Sequence, residues 1–135
     1  MAYIKTEEVK EIRKALKEEF GKRFKFSVTK QDHSKVTVAI MGSDIDFSGL
    51  WSAKSPGDYG YGYVTINPYY IDEDRHGMFA PLFRKIVEII KTAPANAEGG
   101  EAWFDKSDSM TDYFHTAFYF DVEVGKWDKP YTQVA

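Results

Sequence analysis

Hydrophobic positions along the chain keep a helical period first, then an alternating one, and return to each once more before the end. From Val9 the residues Ile12, Leu16 and Phe20 follow at spacings of three and four, which places them on one stripe of a helix. Lys10, Arg13, Lys14 and Lys17 fall elsewhere on the same wheel. Thr6 is placed to cap this helix, Glu7 and Glu8 suit the positive end of its dipole, and Gly21 suits its end. Beyond it the period drops to two. Phe24, Phe26 and Val28 face one way while Lys25, Ser27 and Thr29 face the other, and after the turn-prone Asp32-His33-Ser34 the alternation resumes at Val36, Val38 and Ile40. The spacing predicts a hairpin.

Residues 42–62 are rich in Gly, Ser, Asp and Pro and read as a long loop, anchored to the core by Ile45, Phe47, Leu50 and Trp51. Tyr61 to Asn67 reads as a third strand that Asn67-Pro68 terminates. A wide apolar stripe from His76 to Lys91, through Phe79, Leu82, Phe83, Ile86, Val87, Ile89 and Ile90, predicts a helix lying across a sheet, with Pro81 tolerated in its first turn. Thr92 to Gly100 reads as a second loop. Phe118, Phe120, Val122 and Val124 then alternate with Ala117, Tyr119, Asp121 and Glu123, a strand with one greasy and one acidic face. Gly125 to Ala135 is expected to trail over the surface. The predicted order is α-β-β-β-α-β: an α+β two-layer sandwich, with an antiparallel sheet and its helices on one face, forming one domain over residues 1–135.

Composition adds limits. A chain of 135 residues with 43% hydrophobic and 29% charged residues supports one core. The absence of cysteine excludes disulfides, thiolate nucleophiles and thiolate zinc sites. Ten Phe, nine Tyr and three Trp are a large aromatic share, enough for some rings to serve a partner. The opening MAYIKTEEVK lacks the basic-then-apolar pattern of a secretion signal, so a cytoplasmic location with no membrane segment is expected.

Charge changes the picture more. Residues 1–35 carry ten Lys or Arg against six Asp or Glu, and the remainder carries eight against fifteen, within a net charge of −3. A helix with a solvated basic face explains the first part in the ordinary way. The sharper readings are a nucleic-acid patch at Lys10, Arg13, Lys14 and Lys17, continuing to Lys22 and Arg23, and an acidic surface for a basic partner. The candidates for that acidic surface are Asp105, Asp108, Asp112, Asp121 and Glu123, with Trp127 as an aromatic anchor.

Candidate chemistry is sparse. His33, His76 and His115 show no pairing at helical spacing, and the cluster Asp72-Glu73-Asp74 before His76 reads as a solvated turn feeding a helix more readily than as a hard-metal or acid-base group. Asp105, Asp108 and Asp112 lack the glycine and closing glutamate of a calcium loop. Tyr59-Gly60-Tyr61-Gly62-Tyr63 lacks the order of a phosphate-binding loop. No catalytic residue, metal or cofactor is expected. An order α-β-β-β-α also fits double-stranded RNA-binding domains, but the acidic cluster stands where their second helix is basic.

Two stretches carry a resemblance. IKTEEVKEIRKALKEEFGKRFKFSV, residues 4–28, is similar to the opening of a small domain family associated with large polyvalent proteins of phages and mobile elements, where a helix leads through a short turn to a Lys-Phe-Ser-Val strand. MTDYFHTAFYFDVEVGKWDKPY, residues 110–131, resembles the tail of small phage proteins. The resemblance implies a non-enzymatic phage or mobile-element accessory protein that binds a host macromolecule, such as a defence or regulatory factor, through its acidic and aromatic surface. A small nucleic-acid-binding module using the first helix is the second expectation. A small-ligand or nucleotide-binding protein or enzyme using His76 or His115 is the third.

Overall fold

The computed structural model describes residues 3–31, 34–47, 50–51, 61–68, 71–72, 76–104, 116–126 and 129–133. Helix α1 (Thr6–Phe20) leads through a 3₁₀ turn at Gly21–Arg23 into strand β1 (Lys25–Gln31) and strand β2 (Lys35–Ser43). Strand β3 (Val64–Ile66) precedes a 3₁₀ turn at Gly77–Phe79 and helix α2 (Ala80–Thr92). Strands β4 (Tyr119–Val124) and β5 (Thr132–Gln133) follow. The α+β architecture is the one the periodicity predicts.

The sheet is mixed rather than antiparallel. Its order is β1-β2-β4-β3, with β5 added to the end of β2. β1 and β2 form the expected antiparallel hairpin, pairing Val28 with Val38, and β3 lies antiparallel to β4. β2 and β4, however, run parallel, with Val38 beside Val122 and Ile40 beside Val124. Apolar alternation reports which face a residue lines and not the direction of its neighbour, so the parallel pair is invisible in the pattern.

Two helices cover one face of this sheet. The stripe of α1 buries Val9, Ile12 and Leu16, and that of α2 buries Phe83, Ile86, Ile89 and Ile90, against Val36, Val38, Ile40, Phe120, Val122 and Val124. Full burial of each such aliphatic side chain contributes about 1.5–3 kcal/mol. Lys85 of α2 reaches Glu19 of α1 at 3.9 Å, a half-exposed contact of little weight. Pro81 sits in the first turn of α2 as its missing N–H requires. At α1 the cap is Lys5 rather than Thr6: the buried Glu8 carboxylate takes the Lys5 backbone N–H at 3.0 Å and reaches the Glu101 N–H at 3.4 Å, tying the helix start to a remote segment.

The segment after β4 does not trail. Gly42 and Ser43 at the end of β2 pair with Thr132 and Gln133 of β5, and Tyr131 is packed against the core. A bulge prepares this. Lys25 pairs with Gly42 but Phe26 with Ile40, so Met41 is an extra residue that shifts the phase of β2 and turns Ser43 inward. The fully buried Ser43 hydroxyl meets the Tyr131 hydroxyl at 2.5 Å, and that hydroxyl donates to the Ile45 carbonyl at 2.7 Å. Burial pushes the Tyr131 phenol above its ordinary value of 10.0. The Tyr131 ring also stands edge-on to the buried Phe47, so the loop anchor expected at Phe47 is present.

Candidate functional site

Lys10, Arg13, Lys14 and Lys17 are spaced so that one flank of α1 carries all four, and all are exposed. Arg13 fixes where that flank points. Its guanidinium donates to the Val28 carbonyl at 2.6 Å, so the basic side of α1 lies over β1, the edge strand of the sheet. Such a contact also blunts the edge, because a strand there presents backbone groups with no neighbouring strand.

Gly21, at φ +66, turns the chain from α1 back toward β1. A Cβ at that position would meet nothing within 4 Å, so the glycine is needed for its backbone angle and not for room. The turn brings three rings together: Phe20 lies 5.1 Å from Phe24 and 5.5 Å from Phe26, and Phe24 and Phe26 stack at 5.7 Å with their planes 14° apart. Around them is a hollow of about 280 Å³, lined by Arg13, Lys17, Lys22, Phe24, Phe26 and Val28 beside Gly21. Its lining combines half-buried rings with exposed cations.

Lys22 belongs to a second hollow as well. This one, of about 340 Å³, is lined by Lys22, Arg23, Lys25 and Lys129 together with Met41, Gly42, Pro130 and Thr132. β5 comes so near β2 here that a Cβ on Gly42 would lie 3.3 Å from the Thr132 carbonyl oxygen. Arg23 is held by both Asp44 carboxylate oxygens at 3.1 Å and lies over the Phe24 ring at 6.0 Å. The Arg23 hydrogen bond holds the Asp44 carboxyl below its ordinary range. Among the described residues Lys22, Lys25 and Lys129 form no ion pair. Basic residues from α1, the 3₁₀ turn, β1 and the segment before β5 therefore line two hollows that share Lys22.

Asp121 and Glu123 stand on the other side of the sheet, two residues apart on β4 as the strand period requires. They are half-buried, their partners on β2, Thr37 and Ala39, are buried at 6% and 0%, and Tyr119 beside them is 55% exposed. Yet this face is less acidic than its sequence. Asp121 is paired with Lys35 at 2.5 Å, and that hydrogen bond raises the Lys35 pKa above its ordinary value. Burial pushes the Glu123 carboxyl up, against an opposing hydrogen bond from Tyr63. Asp105, Asp108, Asp112 and Trp127, the other acidic-surface candidates, lie outside the described residues, as do His33, Glu73, Asp74 and His115. His76 is half-buried, edge-on to Phe83 at 5.4 Å. Among the described residues no three His, Asp or Glu side chains come together in a way that holds a metal ion.

Sequence reasoning found the α1 cations and missed Lys25 and Lys129. Lys25 reads as the solvent face of a strand, and Lys129 lies in the segment expected to trail; only the β2–β5 pairing brings it beside Lys22 and Lys25. No family model, curated protein or solved structure matches the chain. Among the described residues no helix is long and apolar enough to cross a membrane.

Proposed function

We propose that the protein is a non-enzymatic binding module that engages the phosphate backbone of a nucleic acid through the basic flank of α1 and the two hollows beside it. The carrying observation is that Arg13, Lys17, Lys22, Lys25 and Lys129 line two hollows joined at Lys22, neither of which has a carboxylate in its lining among the described residues. Clustered cations attract a polyanion locally despite a net charge of −3. The resemblance of residues 4–28 and 110–131 to phage and mobile-element proteins supports an accessory role in such an element.

Fluorescence anisotropy with labelled DNA and RNA, repeated over a range of salt concentrations, tests this reading. Binding should weaken steeply with salt, and the triple variant Lys10→Gln, Lys14→Gln, Lys17→Gln should flatten the dependence by about 0.7–0.9 in log–log slope for each phosphate no longer neutralised. Charge reversal at Asp121 and Glu123 should leave binding unchanged. No binding to any nucleic acid at low salt would refute the assignment.

A second reading has its own support: Tyr119, 55% exposed, shares one face of β4 with Asp121 and Glu123. On that reading the face docks on the basic surface of a host protein, a defence or regulatory factor, and reversing Asp121 and Glu123 abolishes the complex. The Lys35 pair and the burial of Glu123 make it the poorer fit.

A further inference from the structure

We infer that the ligand is single-stranded and that the hollow walled by Phe24 and Phe26 receives one unpaired base. The inference rests on the proposed nucleic-acid reading and narrows it. A tract that met only a duplex backbone would need cations alone; rings set among those cations add nothing to phosphate contacts. Here two half-buried rings, their planes 14° apart, line a concavity together with Arg13, Lys17 and Lys22, all exposed. Half-exposed rings in a cationic hollow are what a base face requires, because every base presents a π-face and its phosphate follows a few ångströms away. In a duplex those faces are covered by neighbouring bases.

The second hollow gives the backbone its direction. It shares Lys22 with the first and continues through Lys25 to Lys129. Arg23 is committed to Asp44, so the three lysines are the cations that answer a phosphate there. A strand with a base against Phe24 and Phe26 therefore carries its next phosphates past Lys22 and over the junction of β2 and β5. Phe20 packs tilted against the other two rings at 5.1 and 5.5 Å and helps to fix their position.

Three labelled probes of about a dozen units decide the matter: oligothymidylate, the same backbone with abasic sites, and a duplex. One stacked base is worth roughly a tenfold or greater gain in affinity, so oligothymidylate should bind at least about tenfold tighter than the abasic strand and the duplex. Phe24→Leu, which keeps an apolar side chain on the core, should lower the oligothymidylate affinity to the abasic level with the salt slope unaltered. Lys22→Gln, Lys25→Gln, Lys129→Gln should instead cut the slope by about 0.7 for each phosphate of the single strand left without its lysine. Melting curves followed by circular dichroism establish that each variant is folded, and the abasic comparison on the unaltered protein decides the question even if Phe24→Leu is not. Equal binding of all three probes would overturn the base pocket while leaving the phosphate tract standing. Failure of all three would remove both.

Discussion

Glu123 shows how a single side chain can be legible in identity and not in state. Its place on the solvent side of β4 follows from alternation alone, but its protonation does not. Burial raises its pKa above 4.5, and the neighbouring Asp121 charge adds to the rise. A carboxyl whose folded pKa is raised is easier to protonate in the native state than in the unfolded chain. Its contribution to stability is complete below pH 4.5 and is lost as pH climbs through the folded value. Glu123→Gln keeps the acceptor for Tyr63 and removes the charge. Thermal melts across the acid-to-neutral range should therefore find the variant more stable than the parent at neutral pH, with the gap closing below 4.5. A variant less stable at neutral pH would mean that the interactions favouring the charged carboxylate, from Tyr63, Lys126 and Lys35, outweigh burial. Arg13 teaches the converse lesson: it is legible as a surface cation, and its bond to the Val28 carbonyl gives it a place in the fold that charge counting does not reveal.

Elements are legible where one period holds for several turns or rungs. α1, β1, β2, α2 and β4 all fall where the apolar spacing puts them, because each buries one continuous face. The crossing beyond β4 is not legible, since it depends on chain segments far apart in sequence. Gly125 leaves β4 at φ +72 with its N–H on the Ile40 carbonyl, and the Gly62 carbonyl accepts from the Tyr131 N–H. A Cβ at Gly125 would lie 1.9 Å from the Gly62 carbonyl oxygen. Three segments thus cross at a point with room for hydrogen alone. Gly125→Ala should cost more than about 2 kcal/mol, from the left-handed backbone angle plus the displacement of Gly62. Denaturant unfolding measures the cost. The same crossing holds β5 on β2, so the variant should also weaken ligand binding at Lys129.

For the whole molecule, the candidate surface is half legible. The α1 cations stand in one run of sequence, whereas Lys129 reaches Lys22 and Lys25 only through a pairing between residues 42–43 and 132–133. Nothing in local pattern announces a contact of that span, and the same is true of the parallel pair at the centre of the sheet.

That parallel pair also sets the order in which the molecule can assemble. β2 meets β1 across a short turn but meets β4 only when Lys35 finds Tyr119, a closure over most of the chain. Local contacts form early and distant ones late, because the entropy of closing a long loop must be overcome first. Substitution of Val28 should then slow refolding, while substitution of Val122 should chiefly speed unfolding, a contrast stopped-flow kinetics can read. During synthesis the row Val36, Val38 and Ile40 has no strand on its β4 side until Val124 has left the ribosome. Nascent chains are thus exposed to aggregation for longer than a hairpin-built sheet of this size would be.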